Sequence, residues 1–185
     1  GYIWFVGGTK VLRYKITDGT VSKAPEVTTI PTTSTAPRVV PVSDNQFWVK
    51  SLHDTSKHIL YNWVSGGTAT EVESIGCTNT NRGNAIAPFT LAKSDQQYAF
   101  VIDQVKGSSD WQNQTALLLK RNSDGSWSKL KEFDGLGTSD NGAGSSIAFN
   151  LVNNDQGVTV GAELWYAAYA QGLAYYHIGD LTPES

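Results

Sequence analysis

Seven polar or aromatic side chains lie in long segments between apolar runs, and their chemistry suits a hydroxyl-rich ligand. Amides and carboxylates hydrogen-bond hydroxyl groups, and an indole ring stacks on the C–H face of a sugar. Loops on a rigid scaffold commonly carry binding sites. We expect a glycan or a protein partner to bind these residues: Asn81, Arg82, Asn84, Asp110, Trp111, Asp140 and Asn141. The alternative is that these loops are only solvated and that Trp111 folds down as a loop anchor.

A second group of polar residues lies between residues 53 and 58. His53 and Asp54 have the types needed for an oriented base, and His53 with His58 has the types needed for a metal site. Neither spacing is diagnostic, because a His-x-x-x-x-His segment in a strand and loop matches no zinc motif. We therefore keep His53 and Asp54 as ligand-binding candidates and predict no metal, no cofactor and no catalytic residue.

The acidic residues show no pairing that predicts glycoside hydrolysis, which needs two carboxyl groups in one cleft. Glu71 and Glu73 alternate along one predicted strand and are interpreted as a solvated stripe. His177, also on a predicted strand, is interpreted as a packed or edge histidine. Three other acids are candidates for inward-facing groups, although their spacing does not bring them together: Asp103, Glu163 and Asp180.

Composition excludes several classes of function. The net charge is −3 and the 14 Lys and Arg residues are scattered, so no basic patch for nucleic acid is present. No apolar run is long enough to span a membrane. Cys77 is the only cysteine, which excludes an intrachain disulfide and a cysteine-based metal site. Low charge, one cysteine and many Ser, Thr and Asn residues favour a secreted, periplasmic or cell-surface location.

Two kinds of turn sequence alternate along the chain, each flanked by apolar runs. One series recurs at intervals of about 50 to 60 residues, at 43–46, 94–97 and 154–157. The other lies between its members, at 17–20, 65–68 and 123–126. The second series contains Asp-Gly or Gly-Gly, which supplies the positive φ that a two-residue hairpin requires. The pattern predicts a repeated unit of antiparallel strands.

Alignment of the repeats predicts four strands per unit, named a to d. Some segments alternate in polarity, as Ile59, Tyr61 and Trp63 do against Leu60 and Asn62, whereas 98–102 and 115–119 are apolar on both faces. No helix is expected. The predicted strands are a at 36–42, 85–92 and 146–152; b at 2–6, 47–52, 98–104 and 158–165; c at 11–17, 58–64, 115–121 and 172–178; and d at 68–75, 126–133 and part of 20–30.

The repeat, together with a blade-like segment ending in Asp-Gly-Ser-Trp at 124–127, makes the chain resemble a bacterial β-propeller of secreted or surface-attached proteins. The resemblance implies an all-β domain over 1–185, with about four blades near 1–35, 36–84, 85–144 and 145–185. The first and last blades each lack a strand, so we expect a fragment of a larger propeller, with a complete four-bladed ring as the alternative. A β-sandwich is the alternative, but it does not explain two turn chemistries recurring in one order.

These observations predict a non-catalytic binding or scaffold module of a secreted protein. Its partner is expected to be a glycan or a protein, held by loops on one rim. Further blades or another chain are expected to cover the exposed sheet edges. The alternative function is part of a propeller-type polysaccharide hydrolase or lyase, which would supply catalytic groups from other blades.

Overall fold

The regular structure of the chain is entirely β in the residues that the structure describes. This computed structural model describes residues 1–31, 35–52, 57–76, 86–91, 95–104, 114–133, 146–168 and 172–179. They contain no helix, and therefore none long and apolar enough to cross a membrane. The chain divides into two compact units, Gly1–Asn84 and Ala85–Ser185.

The first unit contains two antiparallel sheets of four strands. In the first sheet, β1 pairs with β2, and β2 also pairs with β3 and β4. The second sheet is a meander in the order β5-β6-β7-β8. The bounds are β1 Tyr2–Gly7, β2 Lys10–Thr17, β3 Thr20–Val21, β4 Glu26–Thr29, β5 Thr35–Ser43, β6 Gln46–Leu52, β7 Lys57–Asn62 and β8 Thr70–Gly76.

The second unit contains the third and fourth sheets, which are also antiparallel meanders. The third sheet has four strands in the order β9-β10-β11-β12, and the fourth has three in the order β13-β14-β15. The bounds are β9 Ile86–Thr90, β10 Gln97–Gln104, β11 Gln114–Arg121, β12 Trp127–Phe133, β13 Ser146–Asn153, β14 Thr159–Ala168 and β15 Gly172–Gly179.

This architecture confirms the predicted all-β class and its grouping into four antiparallel sheets of three or four strands, none of which closes into a barrel among the described residues. Each predicted strand is present, with ends that agree to within a few residues. The predicted single domain of propeller repeats stays a prediction.

The strand predicted within 20–30 is interrupted between Val21 and Glu26. Pro25 has no N–H to offer a neighbouring strand. The Ser22 hydroxyl accepts a hydrogen bond from the Lys15 amide at 3.1 Å and donates one to the Ala24 carbonyl at 3.0 Å, which satisfies these backbone groups locally. The segment therefore forms two short strands, β3 and β4, instead of one.

The hairpin between β2 and β3 tests the turn chemistry directly. Asp18 and Gly19 have φ values of 50° and 75°, as the predicted Asp-Gly hairpin requires.

The substitution Gly19→Ala tests this turn. A Cβ at Gly19 would meet no atom within 4 Å, so the substitution adds no steric clash and changes only the energy of the positive-φ backbone conformation. We expect it to lower the free energy of unfolding by about 1 kcal/mol in urea titrations. Gly7→Ala, at a strand position with equally open surroundings, is the control and should cause no loss.

Each unit has an aromatic core between its two sheets. In the first unit, Phe47, Val49 and Tyr61 of the second sheet pack with Val11 and with the partly buried Trp4 of the first sheet. In the second unit, the core includes rings from both sheets: Phe89, Phe100 and Phe133 from the third sheet, and Phe149 and Tyr176 from the fourth. In each sheet, one face therefore contributes its side chains to a core.

In the second sheet, the two inner strands β6 and β7 are buried on both faces, at residues 47–50 and 58–61. On β7, His58, Ile59, Leu60 and Tyr61 are all buried, so the alternation predicted for this strand does not appear in its burial. The third sheet is also buried on both faces at 99–101 and 117–119, as the apolar runs there predict. The inner strands of these two sheets are therefore covered on both faces, whereas the edge strands β8 and β12 are mostly exposed.

Candidate functional site

The predicted rim site lies outside the described residues. None of its nine members can therefore be placed, and the site stays a prediction: His53, Asp54, Asn81, Arg82, Asn84, Asp110, Trp111, Asp140 and Asn141. His58, the possible metal partner of His53, is described and belongs to the core of the second sheet.

His58 is unsuited to bind a ligand because its side chain is fully buried. Among the residues that the structure describes, neither ring nitrogen has a hydrogen-bond partner. Burial, and secondarily the charge of Lys50, lowers the pKa of His58 from 6.5 to about 3. The ring is therefore neutral at pH 7 and acts as a core side chain.

The fourth sheet presents a different surface, because only one of its faces enters the core. Ile147, Phe149, Leu164, Tyr176 and Ile178 point to the core side. The alternate positions point away from it, and we call this outer surface the aromatic face. Its members used below are Asn150, Glu163, Trp165, Leu173, Tyr175 and His177.

Two aromatic rings form the centre of the aromatic face. Trp165 and Tyr175 are direct partners in the pairing of β14 with β15, and their ring centroids are 5.5 Å apart with planes inclined at 47°. Tyr175 is 51% exposed and the nearby Leu173 is 69% exposed, whereas Trp165 is half-buried. The pair is thus an accessible apolar platform on a rigid sheet.

A polar row crosses the three strands beside this platform. Glu163 is paired with Asn150 of β13 and with His177 of β15. Its Oε1 accepts a hydrogen bond from the Tyr175 hydroxyl at 2.9 Å, and its Oε2 accepts one from the Asn150 amide at 3.3 Å. The two contacts, one on each oxygen, orient the carboxylate beside the rings.

The hydrogen bond from Tyr175 to Glu163 also affects ionisation. It is the largest of the causes that raise the pKa of Tyr175 above its ordinary value of 10.0, followed by desolvation and the Glu163 charge. The phenol therefore stays protonated at neutral pH and continues to donate to the carboxylate. Glu163, a candidate for an inward-facing group in the sequence, lies instead on the face away from the core.

The aromatic face has groups suited to binding a hydroxyl-rich ligand. Glu163 is the only acidic residue on the described parts of β13, β14 and β15, so these strands place no second carboxyl group beside it. The described residues also contain no group of three His, Cys, Asp or Glu side chains that could hold a metal ion. The arrangement can accept hydrogen bonds from hydroxyl groups and stack against a C–H surface.

A second aromatic cluster, in the first unit, is already filled by a side chain of the protein. The Arg13 guanidinium lies 4.1 Å from the ring centroid of Trp63 and 4.2 Å from that of Tyr2. It forms a salt bridge with Glu26 at 2.6 Å and donates a hydrogen bond to the Asp44 carbonyl. These rings bind an internal cation, so the cluster stabilises the unit and leaves no site for an external one.

The loop-based reasoning missed the aromatic face, and the sequence contains only a weak signal for it. Along 147–152 and 173–178 both sets of alternate positions are mostly apolar, and Asn150 and His177 are the polar residues on the outer side. Trp165 and Tyr175 come together only through the register of β14 with β15, which the sequence does not specify.

No protein-family model and no curated protein matches the sequence. A solved structure is similar in fold: that of a DUF4623 family protein from Bacteroides eggerthii DSM 20697, with a TM-score of 0.70 and 14% identity. The similarity covers 98% of this chain and 43% of that chain. This chain is therefore similar, as an all-β arrangement of sheets, to less than half the length of a longer protein.

Proposed function

We propose that the protein is a non-catalytic glycan-binding module and that the aromatic face is its binding surface. The observation that supports this most is the accessible Trp165–Tyr175 pair beside an oriented carboxylate. Stacking on aromatic rings removes the C–H face of a sugar from water, while Glu163 accepts hydrogen bonds from its hydroxyl groups. The sheet holds both elements in place before the ligand arrives, which limits the entropy lost on binding.

Replacement of the platform tests this proposal. We expect Trp165→Ala and Tyr175→Ala each to weaken binding by about tenfold or more, since about 1.4 kcal/mol of lost contact is a tenfold change. Affinity electrophoresis in polysaccharide gels, followed by calorimetry with the best ligand, measures the effect. Leu130→Ala removes a similarly exposed apolar side chain from the third sheet and should leave binding unchanged. Equal binding by the wild type and both platform variants would contradict the proposal.

The loops predicted to bind a ligand are a second possible location. If the glycan binds the predicted rim, Trp111→Ala should abolish binding and the platform variants should not. The same gels therefore distinguish the two surfaces. The alternative of a hydrolase or lyase is favoured by no contact among the described residues; release of reducing sugar from a polysaccharide panel would support it.

We also propose that the four sheets are blades of a β-propeller. The repeated antiparallel meander and the burial of the inner strands β6 and β7 on both faces support this arrangement. A determined structure in which the sheets form two facing layers would contradict it.

Export to the periplasm, cell surface or medium is proposed from composition, and immunoblots of cell fractions test it.

A protein partner is favoured by the outer face of the first sheet. Ile3 and Phe5 are 39% and 53% exposed, and they share that face with the half-buried Leu12 and Tyr14. In a propeller, an apolar face of this kind packs against the sheet of another blade, supplied by further chain or by another protein.

We expect Phe5→Glu to abolish any concentration-dependent self-association in analytical ultracentrifugation. Self-association that survives the substitution would exclude this face from the contact.

A further inference from the structure

The charge of the aromatic face restricts the class of glycan that it can bind. The strands β13, β14 and β15 contain no Lys or Arg, and Glu163 is their only side chain that is charged at neutral pH. His177, at the β15 end of the polar row, is exposed. The face therefore has one formal negative charge and no Lys or Arg to compensate it.

A glycan with carboxylate or sulfate groups would meet this surface unfavourably. Proteins usually recognise such groups with Arg or Lys, which form charge-assisted hydrogen bonds to the anionic oxygens. Here the anion would instead approach Glu163, and like charges placed together disfavour binding. A neutral sugar has no such penalty and can use the same carboxylate as an acceptor.

The hydrogen bonding of Glu163 leaves capacity for a ligand. A carboxylate offers about four lone-pair positions. Tyr175 and Asn150 each occupy one position, on different oxygens, so each oxygen can accept a further hydrogen bond. Two adjacent hydroxyl groups on a sugar ring match a pair of acceptor oxygens, as two parallel N–H groups of an arginine do.

Resting on the glycan-binding function proposed above, we infer that the ligand of the aromatic face is a neutral sugar whose adjacent hydroxyl groups bind Glu163 while its C–H face rests on Trp165 and Tyr175. Uronic acid and sulfated glycans are excluded. Glu163 thus acts as the specificity-determining residue of the surface.

Calorimetry with paired probes tests this inference. The neutral probes are oligosaccharides of glucose, mannose, galactose and xylose; the anionic probes are oligogalacturonate and a sulfated galactan oligosaccharide. We expect at least one neutral probe to bind, with an affinity that changes little between 50 and 500 mM NaCl, where the screening length falls from about 14 to about 4 Å. We expect no binding of the anionic probes. Glu163→Gln should weaken the neutral complex about fivefold or more, because hydrogen bonds to a charged acceptor are stronger than those to an amide.

A variant that gains binding of an anionic probe provides an independent test. Asn150→Lys places a cation in the row beside Glu163 and should produce salt-sensitive binding of oligogalacturonate. Binding of the anionic probes by the wild type, or neutral binding unaffected by Glu163→Gln, would overturn the inference while leaving glycan binding intact. Failure of the wild type to bind any probe would instead overturn the glycan-binding function itself.

Discussion

Replacement of Arg13 by leucine is expected to lower the free energy of unfolding of the first unit by about 3 kcal/mol. The side chain of Arg13 is 7% exposed, and its guanidinium contacts the Glu26 carboxylate, the Asp44 carbonyl and the faces of two aromatic rings. Leucine removes all of these contacts and leaves the Asp44 carbonyl without this donor. Because Glu26 is 39% exposed, water can solvate its carboxylate, so the loss falls at the lower end of the range for buried pairs.

Arg13→Lys separates charge from geometry. An ammonium group keeps the positive charge but cannot form the guanidinium fork or stack as a plane, so we expect this variant to lose a substantial part of the stability. Lys10→Leu, which removes a cation from an exposed position of the same strand, is the control and should change stability by less than about 0.5 kcal/mol. Urea titrations followed by tryptophan fluorescence measure all three. A loss below about 1 kcal/mol for Arg13→Leu would show that the cluster does not stabilise the unit.

Acidification is expected to destabilise the protein through His58, with a stability that falls between about pH 6.5 and 3. The unfolded histidine binds a proton near pH 6.5, whereas burial delays protonation of the folded side chain until about pH 3. Between these values the unfolded state binds more protons, so folded stability is complete above pH 6.5 and decreases as the pH falls. The slope approaches about 1.4 kcal/mol per pH unit for one group.

Carboxylates also titrate in this range, so the contribution of His58 appears as a difference between variants. His58→Leu keeps an apolar side chain at the site and should make stability fall less steeply from pH 6.5 to 4.5 than in the wild type. Parallel curves for wild type and His58→Leu in urea titrations at each pH would show that His58 is protonated without loss of the fold.

The strands were predictable because local chemistry determines them. Asp18-Gly19 adopts the positive φ values that a tight hairpin requires, and comparable turns recur at Gly66, Gly125 and Gly157. The apolar runs between such turns have the length of strands, so they predict β-strands. The exception, at 20–30, followed from Pro25 and Ser22, whose local effects divided one predicted strand into two.

The Arg13 cluster and the aromatic face were not predictable to the same degree, because the first depends on contacts between distant segments and the second on the register of a strand pair. Arg13 reaches the Asp44 carbonyl and the Trp63 ring, which are far from it along the chain. Tyr175 meets Trp165 and Glu163 only when β14 and β15 pair in the observed register. Sequence reasoning favoured Trp111 because it is a lone indole in a polar segment, and it did not single out Trp165, which lies in an apolar run.

Indole N–H signals in an NMR titration test the binding proposal most directly. The protein has six tryptophans, and their indole signals can be assigned by replacing each in turn. During titration with the neutral oligosaccharide that binds best, we predict that the Trp165 signal shifts in a saturable manner while the signal of the Trp63 cluster does not. Saturable binding that shifts Trp111 and leaves Trp165 unchanged would contradict the assignment of the ligand to the aromatic face.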